Sequence, residues 1–352
     1  MKAMRAGLCG LGMAMMGIPG TAWAEEPGFP AAKPGPGSPF AFAASGAKAA
    51  RAAQAPDSGS KVIGGEEAAA GAWPWQVALL VAGRPVRPEA QFCGGSMVLD
   101  QWVLTAAHCV HMADDAGVYG DIDPQAISVL VGTQVLAPGR GDVVPVAAIF
   151  RHPAYVGTAF DNDIALIRLA RAPRVAYATI EVPDAEFGDQ LDTPGVITIV
   201  TGWGLTEGGG RPETLRQSEI QMLDRGQCNA AMLEARAEEA AKGFGYAAQV
   251  FGLTEQDAYA AWDALVARAP AALSANMLCS GSYEGGKTAC SGDSGGPLVV
   301  PLDDGSYVQA GVVSWGLSAQ GGQGCEETAY FSAYTRISNF LPWLNAVIAE
   351  NP

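Results

Sequence analysis

The chain has 352 residues, of which 49% are hydrophobic and 16% are charged, and this supplies a core for one large or two small domains. Its formal net charge of −15 argues against a nucleic-acid partner, because an acidic protein repels a phosphate backbone. Its 45 glycines and 23 prolines favour frequent turns, which suit many short strands better than long helices.

The first 24 residues have the three parts of a secretory signal peptide. Lys2 and Arg5 give a positive start, an apolar stretch covers residues 6–18, and Ala-Trp-Ala at 22–24 places small residues at the cleavage positions. The stretch is too short to stay in a bilayer as a helix, and no later run reaches that length. We therefore expect a secreted protein, extracellular or periplasmic, with no membrane contact once the signal is removed.

Residues 25–61 are rich in Ala, Pro and Gly and poor in branched apolar side chains. Such a segment cannot bury enough surface to offset the entropy that it would lose on ordering. We interpret it as a pro-segment that precedes a folded domain, residues 62–352.

Beyond Val62, short β-rich runs are separated by turn residues. The predicted strands include Gln76–Val81, Ile127–Val131, Val143–Ile149, Ile164–Leu169, Val196–Val200, Leu298–Val300 and Tyr307–Val313. Many short strands without alternating helices predict an all-β barrel or sandwich.

One internal region has helical rather than β periodicity. The stretches Leu233–Ala241 and Thr254–Arg268 are Ala-rich, and the second begins with a Thr-x-x-Asp capping pattern that ends at Asp257. We predict two helices inserted into the β fold at about residues 229–272.

The C-terminus also has helical periodicity. Its apolar positions are Phe340, Leu341, Leu344, Val347 and Ile348. We predict a C-terminal helix with Ser338 as its N-cap and Pro342 tolerated in its first turn.

Six cysteines remain after the signal peptide, which removes Cys9. They are Cys93, Cys109, Cys228, Cys279, Cys290 and Cys325. An even number of cysteines in a secreted chain predicts three disulfide bonds, and the sequence alone allows 15 pairings.

The strongest candidate for chemistry is Ser294, within Gly-Asp-Ser-Gly-Gly at 292–296. A serine hydroxyl is a weak nucleophile, so it needs a base, an orienting acid and donors for the oxyanion. The adjacent glycines let the backbone turn sharply and let amide groups approach the reacting carbonyl. The string also fits the G-x-S-x-G pattern of α/β-hydrolases, so alone it is ambiguous.

The order of residues along the chain resolves this ambiguity. The three histidines are His108, His111 and His152, and all of them precede Ser294. An α/β-hydrolase needs its histidine after the serine, and a subtilisin-like order needs an aspartate with its own glycine-rich context before the histidine. The order that remains is His, then Asp, then Ser.

Several motifs in this order resemble those of the trypsin/chymotrypsin-like serine peptidase family. They are Thr105-Ala106-Ala107-His108-Cys109, Asp161-Asn162-Asp163-Ile164-Ala165-Leu166, Thr201-Gly202-Trp203-Gly204 and Ser314-Trp315-Gly316. The resemblance runs from Val62 to the C-terminal helix. It implies two six-stranded antiparallel barrels with the active site at their junction and a boundary near residues 182–195.

The resemblance implies a serine endopeptidase that needs no cofactor and acts on proteins or peptides. Ser294 would attack the scissile carbonyl, His108 would transfer the proton, and Asp163 would fix the imidazole tautomer. The amides of Gly292 and Ser294 would form the oxyanion hole. Ser314 would donate a hydrogen bond to Asp163.

The family pattern also implies a substrate-pairing strand at Ser314-Trp315-Gly316. It further implies the disulfide pairs Cys93–Cys109, Cys228–Cys279 and Cys290–Cys325. The third pair would close the specificity pocket, and the predicted helical insert would lie within the loop closed by the second.

Lys61-Val62-Ile63-Gly64-Gly65 resembles the activation site of the family. Cleavage after Lys61 by an activating peptidase would free the amine of Val62, which would pair with the carboxylate of Asp293. A buried ion pair of this kind acts as a conformational switch rather than as a source of stability.

Specificity is read from the residues that the resemblance places in the pocket. Thr288, six residues before Ser294, is neutral, Gly316 leaves the mouth open, and Ser332 lies on the opposite wall. A neutral pocket cannot offset the desolvation of a buried cation, so we expect cleavage after apolar or aromatic residues. The alternative is cleavage after Arg or Lys, with charge supplied by Glu326 or Glu327.

The other histidines favour structural roles. His111 has no supporting ligand at a metal-binding spacing, and His152 lies in an Arg-His-Pro turn, so we predict no metal.

Two further alternatives concern the activity itself. They are a catalytically silent family member that acts as a binding protein, and a hydrolase of esters. The intact catalytic residues disfavour the first, and the substrate-pairing strand disfavours the second. We expect a monomer.

Overall fold

The computed structural model describes residues 65–114, 117–206, 209–282, 288–317 and 331–352. The predicted signal peptide, pro-segment and activation cleavage at Lys61 and Val62 lie outside the described residues. So do Cys325, Glu326 and Glu327.

The described residues form fifteen strands and four α-helices. The strands are β1 (Glu66–Glu67), β2 (Gln76–Val81), β3 (Gln91–Leu99), β4 (Trp102–Thr105), β5 (His111–Ala113), β6 (Tyr119–Asp121), β7 (Ile127–Val131), β8 (Asp142–Arg151), β9 (Ala165–Leu169), β10 (Ile197–Gly202), β11 (Arg216–Met222), β12 (Met277–Gly281), β13 (Pro297–Pro301), β14 (Tyr307–Leu317) and β15 (Phe331–Arg336). The helices are α1 (Ala185–Leu191), α2 (Arg225–Val250), α3 (Glu255–Val266) and α4 (Leu341–Glu350).

The first barrel is a closed antiparallel sheet in the order β2-β3-β4-β9-β8-β7. Its core is filled mostly by Val, Leu and Ile, such as Val77, Leu104 and Ile167, all 0% exposed, and β3 adds Phe92 and Met97. In β8 the side chains of Val144 and Val146 are buried and that of Val143 is exposed, as expected where one face of a strand meets a core. A small hairpin of β5 and β6 lies outside this barrel.

The second barrel has the order β11-β10-β13-β14-β15-β12 and closes through the pairing of β12 with β11. Strand β1 adds to the outer edge of β11. Along β11, the side chains of Arg216, Ser218, Ile220 and Met222 are buried in strict alternation. The predicted all-β class, with two six-stranded antiparallel barrels and a C-terminal helix, is confirmed.

Helices α2 and α3 form an antiparallel pair inserted between β11 and β12, which we call the hairpin. Helix α2 has 26 residues, which corresponds to about 39 Å at 1.5 Å per residue. It extends beyond the predicted helix at both ends, and Asp224 caps its N-terminus by accepting a hydrogen bond from Gln227 N at 2.8 Å. Thr254 caps α3 as predicted, accepting from Asp257 N at 3.2 Å.

The C-terminal helix α4 begins at Leu341, after a short 3-10 turn at Ile337–Phe340. The prediction that Ser338 caps it is wrong, because Ser338 Oγ accepts a hydrogen bond from Arg336 Nε at 3.1 Å instead. The N-cap residue is Phe340, which has no capping side chain.

Within the described residues, no helix has the length and apolar character that crossing a membrane requires.

Candidate active site

The loop that carries Ser294 is held against the first barrel by backbone contacts. The amide of Gly94 in β3 donates a hydrogen bond to the carbonyl of Ser294 at 2.7 Å. Gly295 follows at φ +79°, and a Cβ there would lie 2.2 Å from Thr105 Oγ1, so only glycine fits. Because Thr105 precedes the His108 turn by two residues, this contact fixes the serine loop beside that turn.

His108 and Asp163 form a two-point contact. Nδ1 of His108 lies 2.7 Å from Oδ2 of Asp163, and the His108 amide donates to Oδ1 at 2.8 Å. The Asp163 side chain is 0% exposed and that of His108 is 14% exposed. A carboxylate at Nδ1 holds the proton on that nitrogen, which leaves Nε2 able to accept one.

Asp163 is anchored by two further hydroxyl groups. Ser314 Oγ in β14 donates to Asp163 Oδ2, and Thr335 Oγ1 in β15 donates to the Asp163 carbonyl at 2.6 Å. Asp163 precedes β9 of the first barrel, whereas both hydroxyls come from the second barrel. The aspartate is thus fixed at the junction between the two barrels.

Ser294, the predicted nucleophile, is partly exposed. Among the described residues, no hydrogen bond joins its hydroxyl to His108 Nε2, which lies 3.9 Å from Cys109 Sγ. Catalytic hydrogen bonds are often long without substrate and tighten in the complex, so this geometry is compatible with a serine–histidine pair.

The segment before Asp163 contains two non-glycine residues with left-handed backbone. Phe160 has φ 52° and Asn162 has φ 57°. The Phe160 ring meets the His108 ring edge to face, with centroids 5.7 Å apart. Asn162 is held by a donation to Ala154 O at 2.9 Å and by a donation from Asn276 at 3.0 Å.

The same segment is tied to the foot of the hairpin. Ser274 Oγ, a few residues beyond α3, donates to Asp161 Oδ1 at 2.7 Å. Sequence reasoning did not identify Phe160, Ser274 or Asn276, because these contacts join residues up to 114 positions apart and no motif marks them.

Gly292, predicted to contribute to an oxyanion hole, has a backbone conformation that favours glycine. Gly292 adopts φ +101°, which disfavours any residue with a Cβ, and its carbonyl accepts a hydrogen bond from Gln91 Nε2 at 2.7 Å. Within the described part of the chain, the amides of Gly292 and Ser294 donate to no backbone carbonyl.

Asp293 is buried, with 1% of its surface exposed. Its carboxylate accepts from Gly204 N at 2.7 Å and from Cys290 N at 2.9 Å. Burial raises its pKa to about 6, against the effect of these two amides. Its predicted partner, the amine of Val62, lies outside the described residues.

The residues assigned to the specificity pocket form a neutral cluster. Thr288 and Ser332 are each 1% exposed, and their hydroxyl groups are hydrogen-bonded to each other. Ser332 Oγ also accepts from Ala289 N at 3.2 Å. Gly316 is exposed, and a Cβ there would lie 3.4 Å from Ser332 Oγ, so these positions share one small region.

Trp315, next to Gly316, packs on the foot of the hairpin. It contacts a buried cluster that contains Met232 of α2 and Phe331 of β15, and its ring lies 6.3 Å from that of Phe331. The insert therefore reaches the strand that the resemblance assigns to substrate pairing.

Two disulfide bonds have both partners among the described residues. Cys93–Cys109 links β3 to the turn of His108, and Cys228–Cys279 links α2 to β12. Cys290 is also disulfide-bonded, and its predicted partner Cys325 lies outside the described residues.

In the described ranges, one group of potential metal ligands lies close enough together to hold an ion. It consists of Cys93, His108 and Cys109. Both cysteines are in the disulfide bond, so they offer no thiolate to a metal. His111 lies outside this group, with Nδ1 2.6 Å from Asp121 Oδ1.

His152 packs between aromatic side chains, with its ring centroid 5.1 Å from that of Phe340 and 4.9 Å from that of Trp343. Burial is the main cause that lowers the pKa of His152, and the charge of Arg151 adds to it. It joins β8 to the C-terminal helix.

Comparisons with known proteins agree with this geometry. The trypsin family profile matches residues 62–344. The chain is 30% identical over 300 residues to anionic trypsin of Canis lupus familiaris, covering 84% of this chain and 92% of that protein. It is 31% identical over 292 residues to transmembrane protease serine 9 of Rattus norvegicus, covering 83% of this chain but 22% of that longer protein. The chain therefore belongs to the trypsin family and is a serine-type endopeptidase.

Proposed function

We propose that this chain is exported as an inactive precursor and, after cleavage following Lys61, hydrolyses peptide bonds through an acyl-enzyme. The observation that carries the proposal is the buried Asp163 carboxylate, which is bonded at once to His108 Nδ1, the His108 amide and Ser314 Oγ. An aspartate fixed in this way orients an imidazole for proton transfer at Nε2.

In the proposed mechanism, His108 Nε2 removes the hydroxyl proton of Ser294 as the oxygen attacks the scissile carbonyl. The amides of Gly292 and Ser294 stabilise the oxyanion, each contributing roughly 3 kcal/mol to the transition state. His108 then gives the proton to the leaving amine, and water releases the acyl group by the same steps in reverse.

We propose that activation acts through Asp293. A carboxylate buried without a cation is costly, and the raised pKa of Asp293 expresses that cost. The new amine of Val62 would supply the missing positive charge and would fix the adjacent Gly292 amide in place. The uncleaved chain lacks this amine.

For specificity, we propose cleavage after apolar or aromatic residues. Support comes from Thr288 and Ser332, whose hydroxyl groups are hydrogen-bonded to each other, so these two pocket positions offer no negative charge to a basic side chain. The competing proposal is cleavage after Arg or Lys through Glu326 or Glu327, and the trypsin name of one relative favours it.

The test uses the chain cut after Lys61 and peptide amides that differ only in the residue before the scissile bond. We expect turnover after Leu, Met or Phe that is abolished in Ser294→Ala. Turnover only after Arg or Lys would retain the mechanism and overturn the apolar pocket. No Ser294-dependent turnover on any amide would favour the silent binding protein.

A second experiment tests the need for an activating peptidase. An enzyme with an apolar pocket cleaves poorly after its own Lys61, so purified precursor incubated alone should stay uncut. Rapid self-conversion, followed by gel electrophoresis and N-terminal sequencing, would contradict this.

A further inference from the structure

The hairpin encloses a groove between α2 and α3, and none of the residues that line it belongs to the proposed catalytic triad. Its volume is about 600 Å³, within the range typical of small-molecule sites. The apolar side chains that line the hairpin groove include Met232, Leu233, Trp262, Leu265 and Val266.

The hairpin groove is lined mostly by apolar groups that remain open to water. Leu265 is 53% exposed, and Leu233, Trp262 and Val266 are only partly buried. Trp262 is supported from one side by Phe244, with ring centroids 5.1 Å apart. Because open apolar surface is unfavourable in water, an apolar ligand of matching shape gains free energy by covering it.

The charged residues of the hairpin groove are all of one sign. Arg236 and Arg268 line it and no acid does, in a chain with a net charge of −15. Arg268 donates to the Ala264 carbonyl at 2.9 Å, and neither arginine has an ion-pair partner among the described residues. By contrast Lys242, on the same helix as Arg236 but outside the groove, pairs with Glu239 at 2.8 Å.

The polar lining offers little to a peptide backbone. Apart from the two arginines and the Trp262 indole N–H, Asn229 is the one polar side chain that lines the groove, and it is already hydrogen-bonded. Its Oδ1 accepts from Leu273 N at 2.8 Å, and its Nδ2 donates to Leu273 O at 3.3 Å. A ligand that needs several hydrogen bonds along its length would leave them unmade here.

We propose that the hairpin groove binds an alkyl carboxylate, that is, a free fatty acid of medium chain length. The alkyl chain lies along Met232, Leu233, Leu265 and Val266, and the carboxylate pairs with the guanidinium groups of Arg236 and Arg268. This site is separate from Ser294, so its test does not depend on catalytic activity.

The experiment titrates octanoate, decanoate and dodecanoate, below their micelle concentrations, into the chain from Glu25 with Ser294→Ala. Binding is measured by calorimetry and by the fluorescence difference between this chain and the same chain with Trp262→Phe. Each added CH₂ should tighten Kd roughly threefold to fourfold. Dodecanol, which lacks the charge, should bind at least tenfold more weakly than dodecanoate.

Variants locate the site. The double variant Arg236→Gln/Arg268→Gln should weaken the binding of dodecanoate at least tenfold, and Ala237→Phe should block the groove. Lys242→Gln should leave the Kd for dodecanoate unchanged. Arg236 and Lys242 are exposed on α2, Arg268 is exposed just after α3 and Ala237 is partly buried, and circular dichroism verifies that each variant is folded. Equal binding by all variants, or no saturable binding of dodecanoate, overturns the proposal. Tighter binding of an apolar tripeptide with a free carboxylate than of dodecanoate also overturns it.

Discussion

The Asp293 carboxylate lies in a space that only two glycines leave open. A Cβ on Gly202 would lie 2.0 Å from Asp293 Oδ1, and one on Gly204 would lie 2.5 Å from Asp293 Oδ2. Both glycines belong to the Thr-Gly-Trp-Gly motif of the sequence. At the residue scale, both positions of this motif must be glycine because any Cβ there would overlap the buried Asp293 carboxylate.

Gly204→Ala should therefore displace the Asp293 carboxylate. We expect a loss of roughly 1–3 kcal/mol in the free energy of unfolding, as for other overpacked sites, and at least a tenfold fall in kcat/KM. Urea unfolding and peptide-amide turnover measure the two effects. Gly243→Ala is the control, because a Cβ there meets nothing within 4 Å and should be neutral or slightly stabilising. Equal behaviour of the two variants would refute the explanation.

The raised pKa of Asp293 predicts how stability of the uncleaved chain depends on pH. The pKa of its carboxyl is about 6 in the folded chain and 3.8 for an unperturbed aspartate, so between these values the folded state binds more protons. The protonated Asp293 carboxyl contributes about 3 kcal/mol to the free energy of unfolding. This contribution is fully present below pH 3.8 and is lost as the pH rises through about 6.

Urea unfolding of the Ser294→Ala precursor between pH 4 and 7 measures this dependence, with Ser294→Ala/Asp293→Asn as the comparison. We expect the difference in the free energy of unfolding between the two chains to change with pH across this window. In the chain cut after Lys61, pairing with the Val62 amine should lower the pKa of Asp293. The difference in the free energy of unfolding should then depend less on pH. A difference independent of pH in the uncut chain would show that Asp293 is not a buried acid with a raised pKa.

At the scale of elements, the hairpin is attached to the fold mainly at its foot. Cys228 and Met232 of α2 are buried, whereas Ala248 is the one buried residue between positions 234 and 271. The barrels therefore owe little of their stability to the distal part of the hairpin.

Replacing residues 234–271 with a short Gly-Ser linker should keep both barrels folded. We expect the thermal midpoint to change by only a few degrees and the turnover of small peptide amides to stay within about threefold, because Met232 remains in the cluster against which Trp315 packs. Differential scanning calorimetry and kinetics test this. A collapse in small-amide turnover would show that the distal hairpin positions the active site.

Local sequence predicted those elements in which one pattern dominates. Gln76–Val81 and Ile127–Val131 match the observed strands to the residue. The length of α2 and the N-cap of α4 were missed, because Cys228 and Met232 are held by tertiary burial and Ser338 bonds to Arg336 rather than to its own helix. Similarly, motifs predicted His108, Asp163 and Ser294, but not Phe160, whose contact with His108 depends on a left-handed backbone.

At the scale of the whole molecule, the disulfide bonds divide the chain unequally. Cys93–Cys109 lies entirely before the hairpin, whereas Cys228–Cys279 spans it. His108 and Asp163 are on one side of the hairpin tip, and Ser294 is on the other. The proposed catalytic residues on the two sides are thus joined through the hairpin backbone and, among the disulfide bonds with both partners described, through Cys228–Cys279 around it.

This connection has a consequence for a nick in the hairpin tip. Phe251, directly after α2, is 79% exposed and is followed by Gly252, so the tip is open to proteolysis, including by a peptidase that cuts after aromatic residues. A chain cut there would run as two fragments on a reducing gel and as one molecule without reductant. The enzyme would then work as a two-chain protein, and its lifetime in a reducing environment would be set by Cys228–Cys279.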